Sequence, residues 1–274
     1  MALSEQRIFP DSTIGEYDKV QIAIDRLKAF EPPEGYYLSF SGGKDSCCIK
    51  ALADMAGVKY DAHYNLTTVD PPELVQFIKH QHPDVIIDKP ELSMWELIVK
   101  KKLPPTRTLR YCCDVLKEGS GNGRFIVTGV RWAESARRKN NSSGLVINYG
   151  RKIEQKIKLL DDNSDARNMV EQCQMKSKHI LNPIIDWDDS DVWEFINNYQ
   201  IPYCSLYDEG FKRLGCIGCP MQGGKGMIRN FERWPTYKKM YIRAFQKMVD
   251  KRIADGLETD WKTGEDVFDR WIMG

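Results

Sequence analysis

Tyr36-Tyr37-Leu38-Ser39-Phe40-Ser41-Gly42-Gly43-Lys44-Asp45-Ser46 is the stretch on which the reading of this chain turns. Its first half is aromatic and apolar, as a strand, and a helical pattern follows through about Ala56. Two glycines between strand and helix let the backbone bend closely around an anion, and the N–H groups at the helix start point at it. Lys44 adds a positive charge, Ser41 and Ser46 add hydroxyl donors, and Asp45 is an oxygen ligand suited to Mg²⁺, which accompanies phosphates. The loop is not a Walker A motif, which has four residues between its glycines and Ser or Thr directly after the lysine. An ordinary glycine-rich turn with a surface lysine is the plain alternative.

Outward from this loop, short β-rich runs alternate with helical ones. Val20, Ala23, Ile24, Leu27 and Phe30 recur at helical spacing before it. Residues 60–66 read as a second strand, followed by a helix from Pro72, where proline fits the first turn. Val85-Ile86-Ile87 is a third strand and Phe125-Ile126-Val127-Thr128 a fourth. This alternation predicts an α/β fold, a mostly parallel sheet flanked by helices, Rossmann-like, with ligands beyond the carboxyl ends of the strands. Residues 133–180 break the rhythm and read as a lid-like insertion with hairpin-like runs at 145–149 and 157–160. Asp188 is placed to cap a helix at Ser190–Tyr199, with Asp191 in capping-box position. The expected domains are a nucleotide-binding α/β domain over 1–225 and a basic helical extension over 226–274.

Composition narrows the class. Of 274 residues, 42% are hydrophobic and 29% charged, which excludes a disordered or low-complexity chain. No apolar run approaches the roughly 18 residues of a membrane helix, and the start lacks the apolar stretch of a signal peptide, so a cytoplasmic protein without membrane contact is expected. The formal net charge of +1 hides a segregation. Residues 100–140 carry 11 basic against 3 acidic side chains, and residues 210–252 carry 11 against 2. Two such basic segments suit phosphate-rich ligands or nucleic acid, or are solvated helix faces. In the second, Trp234, Tyr237 and Tyr241 alternate with Arg233, Lys238, Lys239 and Arg243, as in a stacking-and-phosphate surface or a helix packed on a core.

The 8 cysteines are unevenly placed. Cytoplasmic thiols stay reduced, so disulfides are not expected. Cys216-Ile217-Gly218-Cys219 has a metal-ligand spacing, and Cys112-Cys113 is a second pair upstream. Four thiolates suit zinc or a [4Fe–4S] cluster, the adjacent pair being atypical of zinc. The plainer alternative is a redox C-x-x-C with two core cysteines. Cys47, Cys48, Cys173 and Cys204 read as structural.

Taken in order, these motifs resemble the phosphoadenosine phosphosulfate (PAPS) reductase family, within the PP-loop adenine-nucleotide α-hydrolase superfamily. The resemblance rests on the loop at 41–46, Asn65–Glu73, Cys112-Cys113-Asp114-Val115-Leu116-Lys117 and Gly129-Val130-Arg131-Trp132-Ala133-Glu134-Ser135. It continues through Asn182–Trp187 and Leu206–Gly210 to Gly215–Pro220. It implies ATP or a related adenine nucleotide, with Mg²⁺, at Ser39, Ser41, Gly42, Gly43, Lys44, Asp45, Ser46, Gly129 and Arg131. Lys44, Asp45 and Arg131 would be catalytic. In the family's iron–sulfur branch the two cysteine pairs ligate one [4Fe–4S] cluster, implying that role for Cys112, Cys113, Cys216 and Cys219. One departure is that no Cys follows Cys219, whereas the sulfonucleotide reductases carry a nucleophilic cysteine in a C-terminal segment.

Three functions are therefore expected, in this order. The first is an ATP pyrophosphatase that adenylates an acceptor for sulfur transfer, as in DNA phosphorothioation or other nucleic-acid thiolation, with a cysteine desulfurase as sulfur donor. The second is a PAPS or adenosine phosphosulfate reductase using an external thiol. The third is a non-catalytic nucleotide- or nucleic-acid-binding subunit with a structural cluster.

Overall fold

The computed structural model describes residues 3–8, 14–117, 120–134, 145–149, 156–159 and 178–273. The stretch Arg137–Gly144, Ser135, Cys173 and most of the expected insertion lie outside them.

Nine strands are described. They are β1 (Ser4–Ile8), β2 (Ile14–Asp18), β3 (Tyr36–Ser39), β4 (Tyr60–Asn65), β5 (Ile86–Asp88), β6 (Phe125–Val127), β7 (Val146–Tyr149), β8 (Lys156–Leu159) and β9 (Lys178–Leu181). Seven form one sheet in the order β5-β4-β3-β6-β9-β7-β8. The pairs β3–β4, β3–β6 and β6–β9 are parallel. The runs expected as a hairpin do pair antiparallel, Val146 opposite Leu159, and they extend the sheet through β7 on β9. Strands β1 and β2 form a separate antiparallel pair that the sequence reading did not foresee. Their mixed polar and apolar residues carry no strong period.

Local chemistry explains the elements around β3. Tyr36, Tyr37 and Leu38 are all buried, as expected of a central strand in a parallel sheet covered on both faces. The helix Lys19–Ala29 buries Val20, Ala23, Ile24 and Leu27, one stripe at helical spacing. Asp18 caps it, accepting from the N–H groups of Val20 and Gln21. Tyr36 donates its hydroxyl proton to the Leu27 carbonyl at 2.7 Å, tying this helix to the strand. The helix Lys44–Ala56 buries Cys47, Cys48, Ile49, Leu52 and Ala53 and ends at Gly57 in the left-handed conformation. Strands β3 and β6 are neighbours, so the loops leaving their carboxyl ends are neighbours too. That places Ser41–Ser46 beside Gly129–Arg131.

The chain divides into two compact units, each assembled from separated stretches. The first holds Met1–Tyr64, Gln76–Ile86 and Gly121–Lys212; the second holds Asn65–Val75, Ile87–Ser120 and Arg213–Gly274. In the second unit the helices Gly223–Arg233, Pro235–Ala254 and Gly264–Met273 supply an aromatic core. Tyr241 lies tilted on Trp271 at 4.9 Å and Phe231 meets Phe268 edge-on at 5.0 Å. Trp234 and Tyr241 are buried, so these two aromatic positions of the basic tail pack the core, while Tyr237 is half-buried. Among the described residues no helix is long and apolar enough to cross a membrane.

Candidate functional site

The loop 41–46 is stiffened by its own side chains. Gly42 takes φ +70°, a conformation that disfavours a side chain. Ser46 donates its hydroxyl proton to the Gly43 carbonyl at 2.8 Å, and Ser41 Oγ donates to Ser46 Oγ at 3.2 Å. Gly43 is the N-cap of the helix Lys44–Ala56 and, having no side chain, brings no cap of its own. A helix start carries partial positive charge aimed along its axis, which favours an anion there.

Four charged side chains interlock beside this helix start. The Lys44 ammonium, 5% exposed, lies 3.3 Å from Asp45 Oδ2 and 3.2 Å from Asp189 Oδ1. The guanidinium of Arg131 donates from Nε to Asp45 Oδ1 at 2.7 Å and from Nη2 to Asp189 Oδ1 at 2.6 Å. Its Nη1 donates to the Trp187 carbonyl at 3.1 Å, and the residue is 1% exposed. Two cations thus face two carboxylates, so the group is locally near neutral. Desolvation pushes the Asp189 carboxyl up, but the Arg131 hydrogen bond and the Lys44 charge outweigh it and hold it below the ordinary range. Gly129 is where Arg131's loop passes the helix: a Cβ there would stand 3.0 Å from the Asp45 backbone.

Sequence reasoning missed two members of this group. Asp189 sits one position past the expected cap Asp188, and its role depends on the turn that swings it toward Lys44. Asp188 and Asp191 form the expected capping box. Tyr207 accepts the Lys44 backbone N–H on its hydroxyl oxygen at 2.9 Å. Burial pushes this phenol well above its ordinary pKa, so it stays protonated and retains an O–H to donate. The motif Leu206–Gly210 contained Tyr207, yet nothing in spacing alone pointed it at residue 44. Ser39 ends β3 beside this group, half-buried.

The cysteine pairs lie together in the second unit. Cys112 and Cys113 open the short helix Tyr111–Leu116; Cys216 and Cys219 bracket a turn in which Cys219 N–H donates to the Cys216 carbonyl at 3.3 Å. That turn is pinned on three sides. Ile217 N–H donates to the Val69 carbonyl at 2.7 Å, Tyr241 Oη donates to the Ile217 carbonyl at 3.0 Å, and Gly218 N–H donates to Asn230 Oδ1 at 3.1 Å. Gly218 has φ +72°, and a Cβ there would meet Phe231 Cζ at 2.6 Å. Thr67 Oγ1, held by Asp70, touches Cys216 Sγ at 3.4 Å. Each of Cys113, Cys216 and Cys219 bears electrostatically on Cys112, while Arg110 and Lys117 act on Cys113. Among the described residues no group of three or more His, Cys, Asp or Glu side chains meets the geometry of a bound metal ion. Cys47, Cys48 and Cys204 are buried, and burial pushes the first two thiols well above the ordinary range.

Residues 35–222 match the sequence profile of the phosphoadenosine phosphosulfate reductase domain. An uncharacterized protein of Methanocaldococcus jannaschii is 26% identical over 81% of the chain, which spans 48% of that protein. The adenosine 5'-phosphosulfate reductase of Oceanobacillus iheyensis is 26% identical over 68% of the chain and 69% of its own length. The adenosine 5'-phosphosulfate reductase of Allochromatium vinosum is 38% identical over 50% of the chain and 44% of its own length. The chain therefore spans about half the length of two of these three relatives.

Proposed function

The chain belongs to the phosphoadenosine phosphosulfate reductase domain family, and on that premise we propose that it binds a sulfated adenine nucleotide on the 41–46 loop and passes the sulfate sulfur to an external thiol. The observation that carries the reading is the loop itself: a left-handed glycine, a helix start whose N-cap is a glycine, and a buried Lys44 ammonium in one place. Together they stabilise a phosphate that replaces the carboxylates as partner of Lys44. The adenine-nucleotide ligands Ser39, Ser41, Gly42, Gly43, Lys44, Asp45, Ser46 and Gly129 belong to this proposal. Arg131, with its guanidinium engaged by Asp45, Asp189 and Trp187, holds those carboxylates in position.

In the proposed reaction an external thiolate attacks the sulfate sulfur. The sulfur–oxygen bond to the phosphate breaks and the nucleoside phosphate leaves with the electron pair. A second thiol then attacks the sulfur of the S-sulfonated thiol, releasing sulfite and forming a disulfide. An external thiol is required because the described cysteines outside the two pairs are buried, and a buried thiol is a poor nucleophile. The seven cysteines described form no disulfide with one another, which suits a reducing compartment. Cys112, Cys113, Cys216 and Cys219 match a [4Fe–4S] cluster in donor type and number but not in the geometry they have here; they would hold one only by drawing together, with Arg110 and Lys117 offsetting its negative charge. When bound, such a cluster supplies redox or electrostatic tuning.

A second reading is favoured by one observation. Asp45 and Asp189 are oxygen donors beside Lys44, suited to the Mg²⁺ that accompanies a triphosphate. On that reading ATP is split to adenylate an acceptor, such as a nucleic-acid phosphate, and a cysteine desulfurase supplies the sulfur. One assay separates the two. The full chain is given adenosine phosphosulfate, PAPS or ATP with thioredoxin, and sulfite and pyrophosphate are measured. Sulfite supports the first reading and pyrophosphate the second. Nucleotide binding without either product leaves a binding subunit.

A further inference from the structure

The two basic segments of the sequence meet at one place in the second unit. The helices Met94–Lys101 and Pro235–Ala254 border an open groove of about 670 Å³. Its floor is apolar: Trp95 and Val99 from the first helix, Met240 and Ala244 from the second. Its edges are cationic. Lys100 and Lys102 come from one basic segment; Arg243, Lys247 and Lys251 come from the other. The acidic lining residue Glu96 is committed elsewhere, accepting from the Ser93 N–H at 2.8 Å and the Ser93 hydroxyl at 2.7 Å.

Not every cation is equally available. Lys102 lies 2.5 Å and Lys251 2.9 Å from the Asp255 carboxylate, so Asp255 neutralises one end of the groove. Lys100, Arg243 and Lys247 make no ion pair among the described residues, and all three are exposed. Met240, Ala244, Lys247 and Lys251 recur at i, i+4, i+7 and i+11 and fall on one stripe of their helix, about 16 Å long at 1.5 Å per residue. Trp95 and Val99 recur at i and i+4 on the facing helix.

We propose that this groove docks an acidic amphipathic helix of a partner protein, its apolar face on Trp95, Val99, Met240 and Ala244 and its carboxylates on Lys100, Arg243 and Lys247. The chemistry selects this occupant. An apolar floor rewards burial of aliphatic side chains, and cations at the rim select carboxylates and set orientation. A phosphate backbone matches the rim but not the floor, because a phosphate brought onto apolar surface loses its hydration without a partner. The inference does not depend on the reaction assigned to the 41–46 loop.

The test uses fluorescence anisotropy with the full chain. The probes are a labelled 14-residue helix with leucines on one face and glutamates flanking them, a scrambled peptide of the same composition, and a 12-nucleotide single strand. The helix is expected to bind at least tenfold more tightly than the scrambled peptide. R243E with K247E should remove at least tenfold of that affinity, and Val99→Trp, which fills the floor, should do the same. Both variants should leave nucleotide binding and thermal unfolding unchanged; if one unfolds, the other decides. Equal binding of the scrambled peptide would reduce the groove to a charged patch and overturn the proposal. Tighter binding of the oligonucleotide would make it a nucleic-acid surface, and absence of peptide binding would also overturn it.

Discussion

The two units hold their functional side chains by opposite means. Around the 41–46 loop, Lys44, Asp45, Arg131 and Asp189 hold one another, each charge being a neighbour's partner. Around Cys216–Cys219 the side chains are held by the main chain, which is pinned to Val69, Tyr241 and Asn230 and pressed against aromatic rings. A charge network can exchange partners when a ligand arrives, as an anion- or metal-binding site must. A turn locked by packing keeps its thiols at fixed positions whatever is bound. The contrast predicts that packing changes will dominate stability in the second unit, and charge changes will dominate function in the first.

The largest expected effect tests the packed turn. Gly218→Ala places a Cβ 2.6 Å from a ring carbon and keeps a positive φ. Overpacking and backbone strain together should cost about 3 kcal/mol or more in denaturant unfolding. Gly57→Ala is the matched control in the first unit. It has φ +68° but nothing within 4 Å, so only the backbone term of about 1 kcal/mol should appear. Equal losses at both glycines would mean that the rings move aside and the turn is not locked.

Next comes the charge network. Arg131→Lys keeps one charge but loses the fork that reaches both Asp45 and Asp189. Turnover should drop about a hundredfold, by analogy with loss of a preorganised group, with nucleotide affinity changing much less. A parallel fall in both would make Arg131 a ground-state anchor. Tyr207→Phe removes the acceptor of the Lys44 N–H and is expected to weaken nucleotide binding about tenfold, as loss of one such hydrogen bond implies. Calorimetric titration measures it, and unchanged affinity would separate Tyr207 from the loop's function.

The smallest effect is a pH dependence within the first unit. His82 is buried edge-on to Phe40 at 4.8 Å and Phe77 at 5.2 Å, and desolvation, with the nearby Lys50 charge, lowers its pKa. The unfolded chain therefore binds a proton that the folded chain refuses. Stability should be full above the ordinary histidine range and decline as pH falls through about 6.5 toward the lowered value. Unfolding curves of the wild type and His82→Leu check this; the variant should lose that slope.

What was legible follows from the range of the interactions involved. Strand β3, the glycine turn and the helix after it could be read because each depends on neighbours a few residues away. The same holds for the capping box at Asp188 and Asp191, and the hairpin-like runs that became β7 and β8 were visible for that reason. The β1–β2 pair was not, since its residues have no strong alternation. Trp234 and Tyr241 suited a ligand surface or, slightly better, a core, and packing decided for the core.

The sequence by itself determined the fold class, the glycine turn between β3 and its helix, and the pairing of cysteines into two groups, all of which rest on local patterns and on motif order. Only tertiary structure decided who stands opposite whom. Asp189 reaches Lys44 from 145 positions away, and Tyr207 reaches the Lys44 N–H from further still. Lys100 and Lys247 share one groove though they are far apart in the chain. Such partners are chosen by where strands and helices place them, and a charge or a hydroxyl carries no mark in sequence of the group it will meet.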